Sequence, residues 1–353
     1  MEVLVLCGDR GIPLEGPSGA SAHLRGVCHA LESLGHRVRV AAPLRSDHRG
    51  SLAPSSLELV QCPPRRWTSW LRERGETWDA RRLARRALDG FTPDLIWERY
   101  SLFVDAGARA ASELNCPRIL EVNAPLSIER PRVRNPDRAR RLEDATLQSA
   151  TAVVAVSQWL TQWTQSRGAR RSIYLPNGTD RAPCPEPEER RALRAGLGVT
   201  GTLVGFLGSC RPWHGLDRLP AILDADPELH ALVVGDGPAP PPSHPRLHHV
   251  GRQPPHRLDA WLSAMDVGLD LRTTEAPAWL CPLKIADYRA AGLPVVSEPC
   301  VEAERLAEGA WFPTSADHPG AWVQAIHQAR QVPAHPTPRP WTLVIAEALE
   351  ALG

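Results

Sequence analysis

Short β-type runs alternate with helical stretches along the whole chain, and that alternation leaves room for little besides βα units built on parallel sheets. Val3–Cys7 opens the series. The turn Gly16-Pro-Ser-Gly-Ala20 follows, then a helix from about Ser21 to Leu34, a stop at Gly35 and a second strand over Val38–Ala42, which completes one βαβ unit. Further strands are expected at Leu95–Trp97, Arg118–Val122 and Ala152–Val156, with Ser157 capping a short helix toward Arg167. A second series places strands at Leu203–Leu207, Ala231–Val234, Val267–Leu271 and Pro294–Ser297. The expected architecture is α/β, with two consecutive doubly wound lobes.

The length of 353 residues suits two domains of roughly 100–200 residues each. Turn chemistry in Ile173-Tyr-Leu-Pro-Asn-Gly-Thr-Asp180 marks the hinge, giving a first lobe over 1–170, a second over 171–335 and a closing amphipathic helix within 336–353. The proline-rich stretches Gly237–Pro245 and Gln331–Pro340 read as loops or linkers. A net charge of +1 supplies no global field toward nucleic acid or an anionic bilayer, so nucleic acid is not an expected partner and membrane contact is at most peripheral. The eight cysteines are scattered, with no CxxC pair, which argues against a zinc site or a disulfide framework. The opening run Val3–Cys7 is too short for a signal peptide, and no apolar run approaches the roughly 18 residues of a membrane span. These features fit a cytoplasmic protein, at most peripheral to an inner membrane. The arginine bias and 35 prolines are those of a GC-rich bacterial genome.

That bias isolates one residue. Of the 41 basic side chains a single one, Lys284, is lysine, and it lies in Trp279-Leu-Cys-Pro-Leu-Lys-Ile-Ala-Asp-Tyr-Arg-Ala-Ala-Gly-Leu-Pro-Val-Val-Ser297. Pro282 suits the first turn of a helix, Gly292 its C-terminal cap and Pro294 the start of the next strand. Lys284 and Asp287 then share one face near a helix N-terminus, where free N–H groups and the helix dipole favour an anion. Lysine, a compact point charge, fits against a phosphate, and a carboxylate one turn along can accept two ribose hydroxyls. A nucleotide diphosphate satisfies these features. The plain alternative is a solvated lysine paired with Asp287.

Two other loops carry ligand-type chemistry. The turn after the first strand brings backbone close to a helix start, but it departs from GxGxxG and lacks an acidic residue after the second strand, so it does not support a nicotinamide dehydrogenase. The segment Phe206-Leu-Gly-Ser-Cys-Arg-Pro-Trp-His-Gly-Leu-Asp217 ends a strand with Arg211 and His214 close together, and arginine is a good phosphate clamp. Val233-Val-Gly-Asp-Gly-Pro238 and His249-Val-Gly-Arg252 bring two more glycine-bearing loops to the same edge, where open parallel sheets bind ligands. Asp224-Ala-Asp226 resembles a metal-binding pair, but it precedes a strand, and capping or turn formation explains it better. No other cluster has metal-ligand spacing. The segment Arg65–Arg86 combines eight arginines with three tryptophans, a composition able to lie on a membrane surface; four acidic residues from Glu73 to Asp89 dilute it, and an ordinary solvated helix is the expectation.

Taken in order, these pieces resemble the nucleotide-sugar glycosyltransferases of the GT-B fold, in the large retaining group called family 4. The resemblance runs through Gly16–Leu24, Asp94-Leu-Ile-Trp-Glu-Arg-Tyr100, Leu120-Glu-Val-Asn-Ala-Pro125, Ala155-Val-Ser157, Pro176-Asn-Gly-Thr-Asp180, Gly208–Gly215, Gly235-Asp-Gly-Pro238 and Pro282–Val296. It implies two Rossmann-like lobes facing a cleft, acceptor on the first and donor on the second, with no cofactor beyond a nucleotide-sugar co-substrate, UDP-sugar by default. Catalysis in such enzymes is usually metal-independent. Arg211 and Lys284 would hold the diphosphate and stabilise the leaving nucleotide, Gly19 and Ser18 would approach it from the other lobe, and Asp287 would bind ribose. His214, Arg252, Leu283 and Cys281 would complete the donor site, with the loop Glu275–Cys281 toward the donor sugar. Asn123 would position sugar or acceptor, and Arg99 and Glu129 would lie on the acceptor side. The acceptor, whether a small molecule, a lipid-linked sugar or a peptide, is not written in the first-lobe loops, Arg130–Arg141 included.

Four positions depart from the family pattern. Two glutamates eight residues apart are common there, where this chain has Trp279 and Asp287. His214 replaces a frequent lysine, and Asn123 stands where many members have a histidine, so it cannot act as a general base. The reading that follows is a retaining hexosyl- or N-acetylhexosaminyl-transferase. A non-catalytic nucleotide- or partner-binding protein, and a UDP-sugar epimerase or hydrolase, remain alternatives on the same scaffold.

Overall fold

The structure is a computed structural model that describes residues 1–16, 18–44, 57–68, 70–130, 132–181, 187–314, 318–333 and 335–352. Pro17 of the first turn, Ser69 of the arginine–tryptophan segment, Pro131, Cys184 and Ala334 lie outside these residues. Two compact units form: Met1–Asn177 with Trp279–Cys281 and Trp341–Gly353, and Gly178–Ala278 with Pro282–Pro340.

The first unit holds a parallel sheet of seven strands, β1 (Glu2–Cys7), β2 (Arg37–Pro43), β3 (Glu58–Cys62), β4 (Leu95–Arg99), β5 (Arg118–Val122), β6 (Ala152–Ala155) and β7 (Ser172–Tyr174), in the order β3-β2-β1-β4-β5-β6-β7. The chain winds outward from β1 in one direction and then returns to pair β4 on its other side, Val3 opposite Leu95. The order therefore reverses between β1 and β4. Val3 to Cys7 are fully buried, as expected of strands covered on both faces. Charged residues in such strands need partners. Glu98 on β4 pairs with Arg118 on β5, both at most 2 % exposed, and accepts the Gly107 N–H at 3.0 Å; a Cβ on Gly107 would lie 2.4 Å from that carboxyl. Burial nevertheless holds the Glu98 pKa above its usual value, against the pull of Arg118.

The helix Gly19–Ser33 is capped by Ser18, whose side chain accepts from the Ser21 N–H. Arg25 ties the preceding turn down by donating to the carbonyls of Leu14 and Gly16 at 2.7 and 2.9 Å. The closing helix, Trp341–Glu350, belongs to this unit. Its Trp341 sits edge-on to His23 at 4.4 Å and against Gly26, where a Cβ would come within 2.2 Å of the indole.

The second unit holds six parallel strands, β8 (Thr202–Leu207), β9 (Leu229–Val234), β10 (Leu247–Gly251), β11 (Val267–Asp270), β12 (Val295–Ser297) and β13 (Trp311–Pro313), in the order β10-β9-β8-β11-β12-β13. Here the reversal lies between β8 and β11. Tyr288, fully buried on the helix Leu283–Ala290, fits over Gly268, and its hydroxyl accepts the Leu207 N–H at 2.9 Å while lying 3.2 Å from the carbonyls of Gly205 and Leu269. One side chain thus joins the helix to both strands at the reversal. Asp226 caps a helix end, accepts from the Glu228 N–H and pairs with His327 at 2.8 Å, in keeping with a capping and turn role.

Every expected strand forms, with ends shifted by one or two residues. The edge strands β3 and β13 are not among the expected ones, β7 falls on a stretch expected only to lead into a turn, and β10 is the strand that His249-Val-Gly-Arg252 ends.

Candidate functional site

In the second unit the chemistry gathers at the carboxyl ends of β8 and β11, the point of reversal where such sheets bind ligands. Lys284 is 8 % exposed and neither solvated nor paired with Asp287. Its Nζ donates to Asp270 Oδ1 at 3.2 Å, and the ammonium lies 4.2 Å from the centre of the Phe206 ring. Arg272 holds the other oxygen of Asp270, its Nε at 2.9 Å from Oδ2. Two buried cations therefore share one buried carboxylate. Burial alone would raise the Asp270 pKa, but Lys284 and Arg272 outweigh it and hold the group at about 2; burial moves Lys284 the opposite way, below its ordinary value.

His214 packs edge-on against Phe206 at 5.1 Å. Burial, reinforced by Lys284, lowers its pKa to about 3, so the ring is neutral. Its Nδ1 lies between the Ser209 carbonyl and the Arg211 N–H and serves one of them according to tautomer. Arg211 is exposed in the same loop, with its guanidinium 5.8 Å from the Trp213 ring. Three glycine loops form the surrounding floor. Gly208 donates to the Val234 carbonyl at 3.0 Å and Gly235 to the Gly251 carbonyl at 2.9 Å, while a Cβ on Gly235 would lie 1.8 Å from the Gly208 oxygen. Arg252, exposed, follows Gly251 directly.

Leu283 opens the helix that carries Lys284, after an extended Pro282 whose side chain offers no cap and whose carbonyl accepts the Ile285 N–H at 3.2 Å. Asp287 turns away from the Lys284 cluster. It accepts from Thr179 Oγ at 2.6 Å, with Arg181 at 3.9 Å, and burial raises its pKa.

The first unit has its own cluster at the carboxyl ends of β4 and β5. Glu121, 2 % exposed, accepts from His23 at 2.6 Å, Trp97 Nε1 at 2.9 Å, Arg99 at 3.2 Å and the amide nitrogen of Asn123. Burial would raise its pKa, yet His23, Arg99 and Asn123 hold it far below the usual carboxylate range. Arg99 and Asn123 are thus brought together through Glu121. Ser18 and Gly19 are exposed at the N-terminus of the helix that delivers His23, and Glu129 is exposed on the short helix Leu126–Glu129. The buried Cys281 accepts Asn177 Nδ2 on its carbonyl at 3.2 Å. Trp279 lies 5.5 Å from Trp159, centre to centre, so its ring is engaged by another indole.

Sequence reasoning missed Asp270, Arg272, Phe206, Glu121 and His23. A signal existed for the carboxylates: ionisable residues inside or ending otherwise apolar parallel strands demand partners.

A sequence model of glycosyltransferase family 4 matches residues 17–182. Among curated proteins none matches the chain by sequence. Solved structures share its fold over essentially its full length. Anabaena Alr3699/HepE, crystallised in complex with UDP, is 18 % identical with a TM-score of 0.69, over 99 % of this chain and 100 % of that one. Sucrose-phosphate synthase from Thermosynechococcus elongatus is 16 % identical with a TM-score of 0.68, over 100 % and 95 %. The catalytic domain of starch synthase IV from Arabidopsis thaliana, bound to ADP and acarbose, is 13 % identical with a TM-score of 0.69, over 100 % and 98 %. Residues 17–182 thus match family 4 glycosyltransferases in sequence, and the chain as a whole has the GT-B fold of these structures.

Proposed function

We propose that the protein transfers a sugar from a UDP-sugar to an acceptor hydroxyl with retention of anomeric configuration, and that the second unit binds the donor. The observation that carries this reading is the Lys284–Asp270–Arg272 cluster: two buried cations on one buried carboxylate at the reversal point of the sheet, beside the N-terminus of the helix Leu283–Ala290. Lys284 and Arg211 take the diphosphate, and the glycine floor lets it approach the backbone. Asp287 accepts from the ribose hydroxyls, and Arg252 and His214 border the site.

In the reaction, the bond between the anomeric carbon and the diphosphate oxygen breaks as the acceptor oxygen attacks from the same face. The acceptor proton passes to the leaving phosphate oxygen. Lys284 and Arg211 compensate the charge that develops on the nucleotide, so in this reading no metal is needed for that role. Asn123 positions sugar or acceptor through its carboxamide, oriented by Glu121, and the reaction takes place in the cytoplasm.

The test is thermal unfolding of wild type and Lys284→Ala with UDP, GDP, ADP, CMP and UDP-sugars. Ligand at about 100 times its Kd stabilises by about 2.7 kcal/mol, a shift of several degrees. A UDP-selective shift lost in the variant is expected. No shift with any nucleotide refutes the proposal.

A further inference from the structure

The segment Arg65–Arg86 changes character once its side chains are placed. The helix Arg72–Ala87 buries Gly75, Glu76, Thr77, Asp79, Ala80, Leu83, Ala84 and Ala87 against the first unit, and the carboxylates that offset its arginines in sequence go inward with that face. Glu76 takes a two-pronged pair from Arg130, at 2.8 and 3.0 Å. Asp79 accepts from the Arg65 N–H at 3.1 Å and from Trp67 Nε1 at 3.0 Å, and Glu73 accepts from the Arg134 N–H at 2.7 Å.

What remains outward is basic and aromatic. Trp70 is 65 % and Trp78 48 % exposed. Arg66, Arg74 and Arg85 are exposed, and no carboxylate among the described residues pairs with them. Asp89, beyond the helix end, is the exposed acidic exception. Trp78 is braced edge-on by Trp67 at 5.3 Å, and Trp67 is seated over Gly75, whose missing Cβ leaves room for its ring. An exposed indole held in place by a second one is an ordered surface feature.

We infer that this face docks on an anionic lipid bilayer, with Trp70 and Trp78 at headgroup depth and Arg66, Arg74 and Arg85 on lipid phosphates. Indoles favour that depth because one edge is apolar and the other donates a hydrogen bond, and arginine forks match phosphate. With a net charge of only +1 on the whole chain, the attraction is local and falls with salt. The inference is independent of the donor site.

Co-sedimentation of the full chain with phosphatidylcholine vesicles, with and without phosphatidylglycerol, tests it. Binding to the anionic vesicles alone, reduced by salt, is expected. The double variants Trp70→Ser/Trp78→Ser and Arg66→Glu/Arg74→Glu should each bind on the order of tenfold more weakly or less, with the unfolding midpoint unchanged in the arginine variant and lowered in the tryptophan variant by no more than the loss of the Trp67–Trp78 contact. Failure to bind anionic vesicles, unchanged binding in both variants, or equally tight binding of polyglutamate or single-stranded RNA would overturn it, the last by reassigning the face to a polyanion.

Discussion

Replacing Asp270 with Asn should destabilise the protein far more than replacing Lys284 with Met. The cluster holds two cations and one carboxylate, all at most 8 % exposed. Asp270→Asn takes from Lys284 and Arg272 the buried carboxylate they share, and breaking a buried ion pair by removing one partner costs about 3–5 kcal/mol. Lys284→Met removes one of the two cations, keeps the Arg272–Asp270 pair and loses one charge-assisted hydrogen bond, so its cost should be about 1–2 kcal/mol, offset in part by the end of lysine desolvation. Denaturant titration gives both values. The same variants separate a structural salt bridge from an anion site: UDP should stabilise Asp270→Asn by more than it stabilises wild type, since the nucleotide supplies the missing negative charge, and should leave Lys284→Met almost unmoved. If Lys284→Met costs as much as Asp270→Asn, or if UDP raises both variants equally, the cluster holds the fold together and the donor assignment fails.

Three more outcomes can be checked. His214 is held neutral with a pKa of about 3, below the ordinary 6.5, so its contribution to stability is complete above pH 6.5 and is lost as pH falls toward 3; between pH 6.5 and 4.5 this amounts to a few kcal/mol at most. In His214→Gln that part of the slope should vanish from unfolding curves at the two pH values, and an identical slope would remove the cause. Glu121→Gln should cost about 3 kcal/mol, because His23 and Arg99 lose the carboxylate they share, and it should lower turnover through the altered Asn123 if that residue orients a substrate. Gly26→Val would drive its side chain into Trp341, costing about 1–3 kcal/mol by overpacking, and hydrogen exchange over Trp341–Glu350 should quicken.

Much of this fold is legible in the sequence because parallel strands buried on both faces are nearly continuous apolar runs: Val-Leu-Val-Leu-Cys over Val3–Cys7 and Leu-Val-Gly-Phe-Leu over Leu203–Leu207 announce themselves. The edge strand β3, Glu-Leu-Val-Gln-Cys, and the three-residue β13 do not, since one side of each meets solvent and its pattern is diluted. Lys284 was singled out by composition, and its helix by Pro282 and Gly292. Its partners escaped because Asp270 and Phe206 reach it across two strands separated by some sixty residues of chain, a proximity that only the strand order β8-β11 creates. Likewise the sequence offers Arg99 for the acceptor side and Asn123 for positioning sugar or acceptor as unconnected residues, whereas Glu121 binds them into one group.

The single buried lysine also makes the molecule its own reporter. An amine-selective reagent has one lysine to find in this sequence, and Lys284 is enclosed by Asp270 and Phe206. Acylation of a free lysine derivative in the same solution clocks the reagent. Acylation of Lys284 clocks how often the end of the second sheet opens, and a lysine-specific protease reads it out afterwards, because the unfolded chain offers that enzyme one cleavage point and the modified chain none.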